Sequence, residues 1–282
     1  MTPLAPALLF ALCALLIARA GFVLSRSADR LAEAYGWGRG WVGLALLATV
    51  TSLPELSSGI SAVAWVGAPN LAVGNALGAC VVNLAFLVVV DALQRGQPMY
   101  RDAGTGHIVS AGFGVVMLGF VVMSLTMGTH APALLNVGFY SPALLALYLM
   151  ALKSVFVHER ERVAAARVPP PDTSAAQASP AGAAGPAALD PEVARDWRRF
   201  ALATLVVLGA GTLLPSAASD LAQALGLTRT FVGTVFMALA TTLPEMAVTL
   251  GALRLGALDM AIGNLLGSNL FNVTILAVDD LF

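Results

Sequence analysis

The chain has 282 residues, 58% of them hydrophobic and 11% charged, with a formal net charge of −1. Soluble domains are about 45–50% apolar and about 25% charged, so a soluble enzyme, a disordered protein and a nucleic-acid binder are excluded. The mean hydropathy of +0.83 and apolar runs near the roughly 20 residues that cross a bilayer core of about 30 Å predict an all-α polytopic membrane protein.

Eight apolar segments follow one another, over 4–24, 41–66, 70–91, 106–127, 132–152, 200–219, 231–253 and 258–278. Very short gaps after the second, fourth and seventh predict antiparallel hairpins. The first segment could instead be a signal peptide cleaved after Ala18-Arg19-Ala20, but it lacks the basic n-region such peptides carry. Cys13 and Cys80 both lie in apolar runs and suggest no disulfide framework.

Residues 157–199 break the pattern. They hold His158-Glu159-Arg160-Glu161-Arg162, a stretch rich in Ala, Pro, Gly and Ser, and then Arg195 to Arg199. Such a run buries no core and predicts a disordered linker. It divides the chain into a five-helix half (1–156) and a three-helix half (200–282).

Positive charge orients the spans. With the N-terminus outside, fourteen of the fifteen basic residues fall in inner loops and only Arg229 falls outside. The linker is then cytoplasmic, the C-terminus is outside, and the membrane is the cell (inner) membrane.

An internal repeat underlies the order of the spans. Val42-Gly43 and Thr51-Ser52-Leu53-Pro54-Glu55 recur as Val232-Gly233 and Thr241-Thr242-Leu243-Pro244-Glu245. Upstream, Leu31-Ala32, Ala34, Gly36 and Arg39 match Leu221-Ala222, Ala224, Gly226 and Arg229. Downstream, Gly74-Asn75, Gly78, Asn83 and Asp91 match Gly263-Asn264, Gly267, Asn272 and Asp280. The copies start five spans apart, and an odd number of spans inverts the second copy. Inverted repeats with discontinuous helices near the midplane are a common construction of secondary transporters.

Glu55 and Glu245 are the carboxylates deep inside apolar spans. Glu55 lies roughly 20 Å along a helix starting near Trp41, where a charge is costly and marks function. Ser52-x-x-Glu55 and Thr242-x-x-Glu245 also fit a local capping box. Gln would serve that purpose more cheaply in lipid. Pro54 and Pro244 deprive the carbonyls of Val50 and Ala240 of their usual donors, and such irregular backbone is tolerated at depth where it lines a cavity.

The following helices add amides. Asn75, Ala79 and Asn83 share one face, as do Asn264, Ser268 and Asn272, with Asn269 beside Ser268. For Asn83 and Asn272, bridging of helices and ligation are equally open; for Asn269, ligation is favoured. Gly74-x-x-x-Gly78 and Gly263-x-x-x-Gly267 allow close helix contact. No span has Lys or Arg at its centre to receive an anion, and no His or Cys cluster suits a soft metal. Two carboxylates, hydroxyls, amides and freed carbonyls instead suit Ca²⁺, which takes about 6–8 oxygens. Na⁺ or protons would neutralise the same two charges in its absence.

These residues resemble the calcium/cation antiporter superfamily, which includes the sodium/calcium exchangers. The resemblance rests on Val50-Thr51-Ser52-Leu53-Pro54-Glu55 with Gly74-Asn75-Ala76-Leu77-Gly78-Ala79-Cys80, and on Ala240-Thr241-Thr242-Leu243-Pro244-Glu245 with Gly263-Asn264-Leu265-Leu266-Gly267-Ser268-Asn269. It implies a transporter rather than an enzyme, and alternating access at a Ca²⁺ site. The implied ligands are Glu55 and Glu245 with Thr51, Ser52, Thr241, Thr242, Asn75, Asn264, Ser268 and Asn269. Ca²⁺ is then cargo, with Na⁺ or H⁺ as counter-ion and no resident cofactor. The resemblance also implies ten helices, so three explanations stay open for a chain of eight spans ending at Phe282: truncation, completion by a homo-oligomer or partner that supplies the missing two, or natural reduction.

In three places the sequence departs from the family pattern. Ala79-Cys80 stands where the second repeat has Ser268-Asn269, Val50 and Ala240 replace glycines, and two helices are missing after Phe282. A non-transporting relative, binding or structural, is the alternative these departures favour. An intramembrane protease would need paired Asp or His-Glu-x-x-His within a span, and neither occurs there.

Overall fold

The computed structural model describes residues 4–64, 67, 69–94, 98–127, 133–134, 137–166, 190–224, 226 and 237–281. Helix α1 is Leu4–Tyr35. A broken helix follows: α2 (Arg39–Val42), a π-helical turn over Gly43–Leu47, α3 (Ala48–Thr51) and α4 (Leu53–Ala64). Then come α5 (Pro69–Leu93), the short α6 (Met99–Asp102), α7 (Gly106–Met127), strands β1 (Ala133–Leu134) and β2 (Val137–Gly138), and α8 (Tyr140–Ala166). The second half has α9 (Pro191–Ala224), a second broken helix of α10 (Met237–Thr241) and α11 (Leu243–Arg254), and α12 (Leu258–Asp279).

Among the described residues five helices are long and apolar enough to cross a membrane, namely α1, α5, α7, α8 and α12. The pair Arg39–Thr51 and Leu53–Ala64, bent by 41°, makes a sixth. The remaining two apolar segments fall on α9 and on α10–α11. Val81, Val88, Ile108 and Val115 present their side chains outward, as lipid-facing residues do. The all-helical membrane class is therefore that expected from composition.

Three boundaries differ from expectation. The first helix does not stop near residue 24 but runs to Tyr35. Its polar second half is held by Arg30–Asp196 and by packing of Leu31 and Ala32 in the core. It ends on Gly36 at φ 66°, with Trp37 N–H donating to the Ala32 carbonyl, a glycine stop that an L side chain would strain. The fifth segment does not begin at 132: Ala133 pairs with Gly138 and Leu134 with Val137, and the helix starts at Tyr140 with Pro142 in its first turn, where the missing N–H is harmless. The predicted linker is helical at both ends. Helix α8 continues to Ala166 with an Arg162–Glu159 pair, and α9 starts at Pro191 where Asp190 accepts from the Glu192 N–H. Residues 167–189, Arg95, Arg229, Val232-Gly233 and the start of the seventh segment lie outside the described residues.

Contacts between chain-distant residues sort the helix ends. Arg30 meets Asp196, Gly104 N–H and Arg162 meet Asp259, Tyr35 meets Trp197, and Arg26, Arg199 and Arg254 line one pocket. All these lie at one end of the bundle. At the other end Asp280 accepts from Gly138 N–H and the Ser141 hydroxyl. The first broken helix therefore leaves the basic end at Arg39, and the second arrives there at Arg254. The two copies of the repeat run in opposite directions.

Helix α12 is the hub. Of its most apolar window 83% is buried, against 17–28% for the other four spans. It touches the first broken helix along its whole length, and also α5, α7, α8 and α11. Gly263 and Gly267 make this approach possible: a Cβ on Gly263 would collide with the Gly40 carbonyl, and one on Gly267 with the Leu44 carbonyl. Gly267→Ala should lower stability by about 1–3 kcal/mol, the usual cost of overpacking. Gly209→Ala, which would meet nothing within 4 Å, should be neutral or mildly stabilising. Melting of both variants in detergent, followed by tryptophan fluorescence, checks this; equal midpoints would refute the close-packing argument.

Candidate cation site

Each broken helix changes direction at one residue. Ser52 sits at φ −89°, ψ 5° and Thr242 at φ −82°, ψ 0°, both with ψ near zero, where the helical region borders the bridge region. Pro54 and Pro244 are second in α4 and α11, and Glu55 and Glu245 are third. The prolines have no N–H to close the preceding turn, so a new helix starts there. Its first-turn N–H groups and dipole favour a negative charge, which places both carboxylates at helix N-termini in the middle of the bundle.

The capping-box geometry does not form. Ser52 Oγ reaches across the repeats and donates to Glu245 Oε1 at 3.0 Å. Thr242 makes no cap bond; its hydroxyl donates back to the Ala238 carbonyl at 2.9 Å. A hydroxyl at the break is more useful to the opposite carboxylate than to its own helix. Glu55 faces Thr241 and Glu245, and Glu245 faces Thr51, Ser52 and Ser268. Thr51 Oγ1 and Ser268 Oγ are 3.4 Å apart.

All of these groups are sealed from the surface. Glu55 is 1% exposed, and Thr51, Ser52, Thr241, Thr242, Glu245, Asn264 and Ser268 are 0% exposed. Both Glu55 oxygens and Glu245 Oε2 nevertheless have no hydrogen-bond partner. A buried carboxylate without partners is among the most costly arrangements in a protein. The arrangement can hold a cation, because bare anionic oxygens and lone-pair hydroxyls converge there with no basic side chain among the groups just named.

The amides have distinct placements. Asn264 Nδ2 donates to the Glu245 backbone carbonyl at 3.2 Å and to Thr249 Oγ1 at 3.1 Å, tying α12 to the start of α11 and leaving its Oδ1 unpartnered. Asn75 is buried with its Oδ1 unpartnered. Asn269 is half-buried, and its Oδ1 accepts from Asn83 Nδ2 at 3.2 Å. Cys80 Sγ lies 3.7 Å from the Asn269 carbonyl as donor, so the departure at Ala79-Cys80 falls where the two repeats meet. Asn272 is fully buried with both amide atoms unpartnered. It lies one turn beyond Ser268 on the same face, a periodicity visible in the sequence.

Three buried carboxylates, Glu159, Asp196 and Asp279, carried no signal in the sequence because they lie outside the apolar segments. Asp279 has both oxygens unpartnered beside Gly59. Glu159 is packed against Gly38 and Gly40. Thr249 carried no signal beyond its place one turn after Glu245.

The family model for sodium/calcium exchanger proteins matches residues 5–157 and 197–278, one region in each half of the chain. The chain belongs to the sodium/calcium exchanger family. It is 30% identical over 239 residues to CaxA of Alkalimonas amylolytica, a protein named as an antiporter, covering 82% of this chain and 66% of that one. It is 27% identical over 237 residues to the inner membrane protein YrbG of Escherichia coli strain K12, covering 83% of this chain and 66% of that one. The chain thus spans about two-thirds of the length of both. The fold is that of the sodium-calcium exchanger NCX_Mj in crystals soaked with Na⁺ and Sr²⁺, with TM-score 0.70 at 20% identity over 99% of this chain and 83% of that one. The family is one of transporters, not enzymes.

Asn264→Ala removes both contacts by which its amide ties α12 to α11, to the Glu245 carbonyl and to Thr249 Oγ1, in a buried site. Stability should fall by about 1–3 kcal/mol. A melting curve in detergent measures it, and an unchanged midpoint would show that the tie carries no energy.

Proposed function

We propose that the chain exchanges Ca²⁺ for Na⁺ or H⁺ across the cell (inner) membrane by alternating access to the Glu55–Glu245 site. One observation carries the reading: two fully buried carboxylates from matched positions of opposed repeats face each other with three of their four oxygens unpartnered. Two negative charges in a dry interior demand neutralisation by whichever cation is present. One Ca²⁺ balances both, and Na⁺ ions or protons balance them in turn. Exchange follows because the empty pair is the least favourable state.

The ligands we assign are Glu55 and Glu245, with hydroxyls of Thr51, Ser52, Thr241, Thr242 and Ser268 and amide oxygens of Asn75, Asn264 and Asn269 completing or bracing the shell. Asn272 joins them, on the strength of its burial and unpartnered oxygen. Family membership and the name of the structural neighbour support calcium as cargo. The basic end of the bundle is assigned to the cytoplasm by the positive-inside rule, which puts the 157–199 segment there between the halves 1–156 and 200–282. YrbG, named as an inner membrane protein, supports the compartment.

The test is Ca²⁺ flux into inside-out vesicles under imposed Na⁺ or H⁺ gradients. Glu55→Gln and Glu245→Gln should each cut flux at least tenfold with expression and melting retained. Equal flux in all three proteins sinks the site. No flux from well-folded wild type supports the second reading, a non-transporting relative, which the Ala79-Cys80 departure favours. Cys80→Asn separates the two further. If the thiol weakens the shell, the added amide should lower the Ca²⁺ concentration at half-maximal binding by severalfold, read by calorimetry; unchanged binding would remove position 80 from the shell.

A further inference from the structure

At the basic end of the bundle a pocket of about 620 Å³ opens between α1, α9 and α11. Four arginines line it: Arg26 and Arg30 from α1, Arg199 from α9, and Arg254 from the last turn of α11. They come from three regions of the chain far apart in sequence. The carboxylate among the lining residues is Asp196, itself buried. Asp196 Oδ1 meets Arg30 Nη1 at 3.2 Å and Arg199 Nη1 at 3.5 Å. One carboxylate shared by two guanidiniums leaves Arg26 and Arg254 without an acidic partner among the described residues.

The remaining lining is apolar. Phe22 and Leu255 contribute to the wall, and Arg254 stacks over the Phe22 ring at 4.6 Å from its centre. That cation–π contact keeps the guanidinium beside the apolar wall. Phe22 lies near the end of the apolar stretch of α1, where its polar extension begins. Arg30 and Arg199 each keep about half of their side chain exposed, so the pocket is open rather than sealed.

Simple snorkelling of arginines toward water does not account for this arrangement. Snorkelling disperses like charges, whereas here four arginines line one pocket that holds one carboxylate. Three excess positive charges held together need an anion, and guanidinium forks match phosphate oxygens bidentately. The apolar wall beside them needs hydrocarbon.

We propose that this pocket binds the phosphodiester headgroup of an anionic phospholipid, with its phosphate on Arg26 and Arg254 and the first carbons of an acyl chain along Phe22 and Leu255. The lipid bridges α1, α9 and α11. Helix α11 begins with Glu245 in its first turn, so the headgroup clamps the far end of the helix that presents one of the two central carboxylates. Binding itself does not depend on the exchange reading above.

The experiment uses the full chain in detergent with added dioleoylphosphatidylglycerol, dioleoylphosphatidylcholine or inorganic phosphate, with bound lipid counted by native mass spectrometry and melting followed in parallel. Wild type should bind phosphatidylglycerol at least tenfold more tightly than phosphatidylcholine, and millimolar phosphate should not displace it. Arg26→Gln with Arg254→Gln should abolish that preference, and Arg26→Lys with Arg254→Lys should keep most of it. Should the double Gln variant not fold, Arg26→Gln alone should reduce the preference at least threefold. The proposal is overturned by equal binding of the two lipids to wild type, by a preference that survives the Gln substitutions, or by phosphate displacing the lipid, which would make the pocket a site for free anions. Ca²⁺ flux is not a readout here, so failure of this test leaves the exchange reading standing.

Discussion

Two carboxylates share a dry interior, and the surrounding architecture answers the problem they pose. An isolated buried charge in hydrocarbon is prohibitively costly. Each copy of the repeat meets it in the same way. A proline ends one helix and starts another just before the glutamate, so that first-turn N–H groups and the helix dipole point at the carboxylate. The break also turns hydroxyl side chains inward. Ser52 then crosses to Glu245, and the two copies satisfy part of each other's charge while leaving three carboxylate oxygens unpartnered. In the exchange we propose, the residual deficit is the functional quantity, because a fully satisfied pair would have no need of a cation.

Holding two helix breaks face to face requires a rigid partner, and α12 supplies it. Its burial on nearly all sides has no counterpart among the other spans of the described residues. The glycines at 263 and 267 admit the backbone of the first broken helix, and Asn264 between them ties to the start of α11. One helix of the second repeat thus locates both glutamates. The π-helical turn at Gly43–Leu47 lies in the segment that α12 touches. A widened turn shifts the register of the residues beyond it, which includes Thr51 and Ser52.

Much of this was legible in the sequence, for identifiable reasons. Eight apolar segments, two matched Pro-Glu pairs and the glycine spacing are strong signals because lipid tolerates few exceptions. The odd number of spans between copies foretold their opposite directions, and the contacts of Arg254 and Arg39 at one end agree. Less legible was everything decided by a partner across the bundle. Ser52 has a local use as a cap and a distant use on Glu245, and no sequence window contains both. The helical extension of α1 to Tyr35 depends on Asp196 and on core packing from the other half. Asn269 and Asn272 are close in sequence but differ in burial, since one faces Asn83 and the other an enclosed interior.

The asymmetry at position 80 shows how a duplicated site diverges. In the second repeat Ser268 and Asn269 present a hydroxyl and an amide, while the first repeat has Ala79 and Cys80. The missing amide is partly replaced across the interface, because Asn83 donates to the Asn269 side chain and the Cys80 thiol points at the Asn269 carbonyl. Polar groups of one repeat are therefore committed to the other, and the oxygen count on the first side falls. Strict symmetry is not required by the charge balance, which two glutamates settle alone. Neutral ligands instead set the size and flexibility of the shell, and so decide which cation of suitable charge is held best. In the exchange we propose, the two carboxylates supply the charge, and the amides and hydroxyls set which ion of that charge fits.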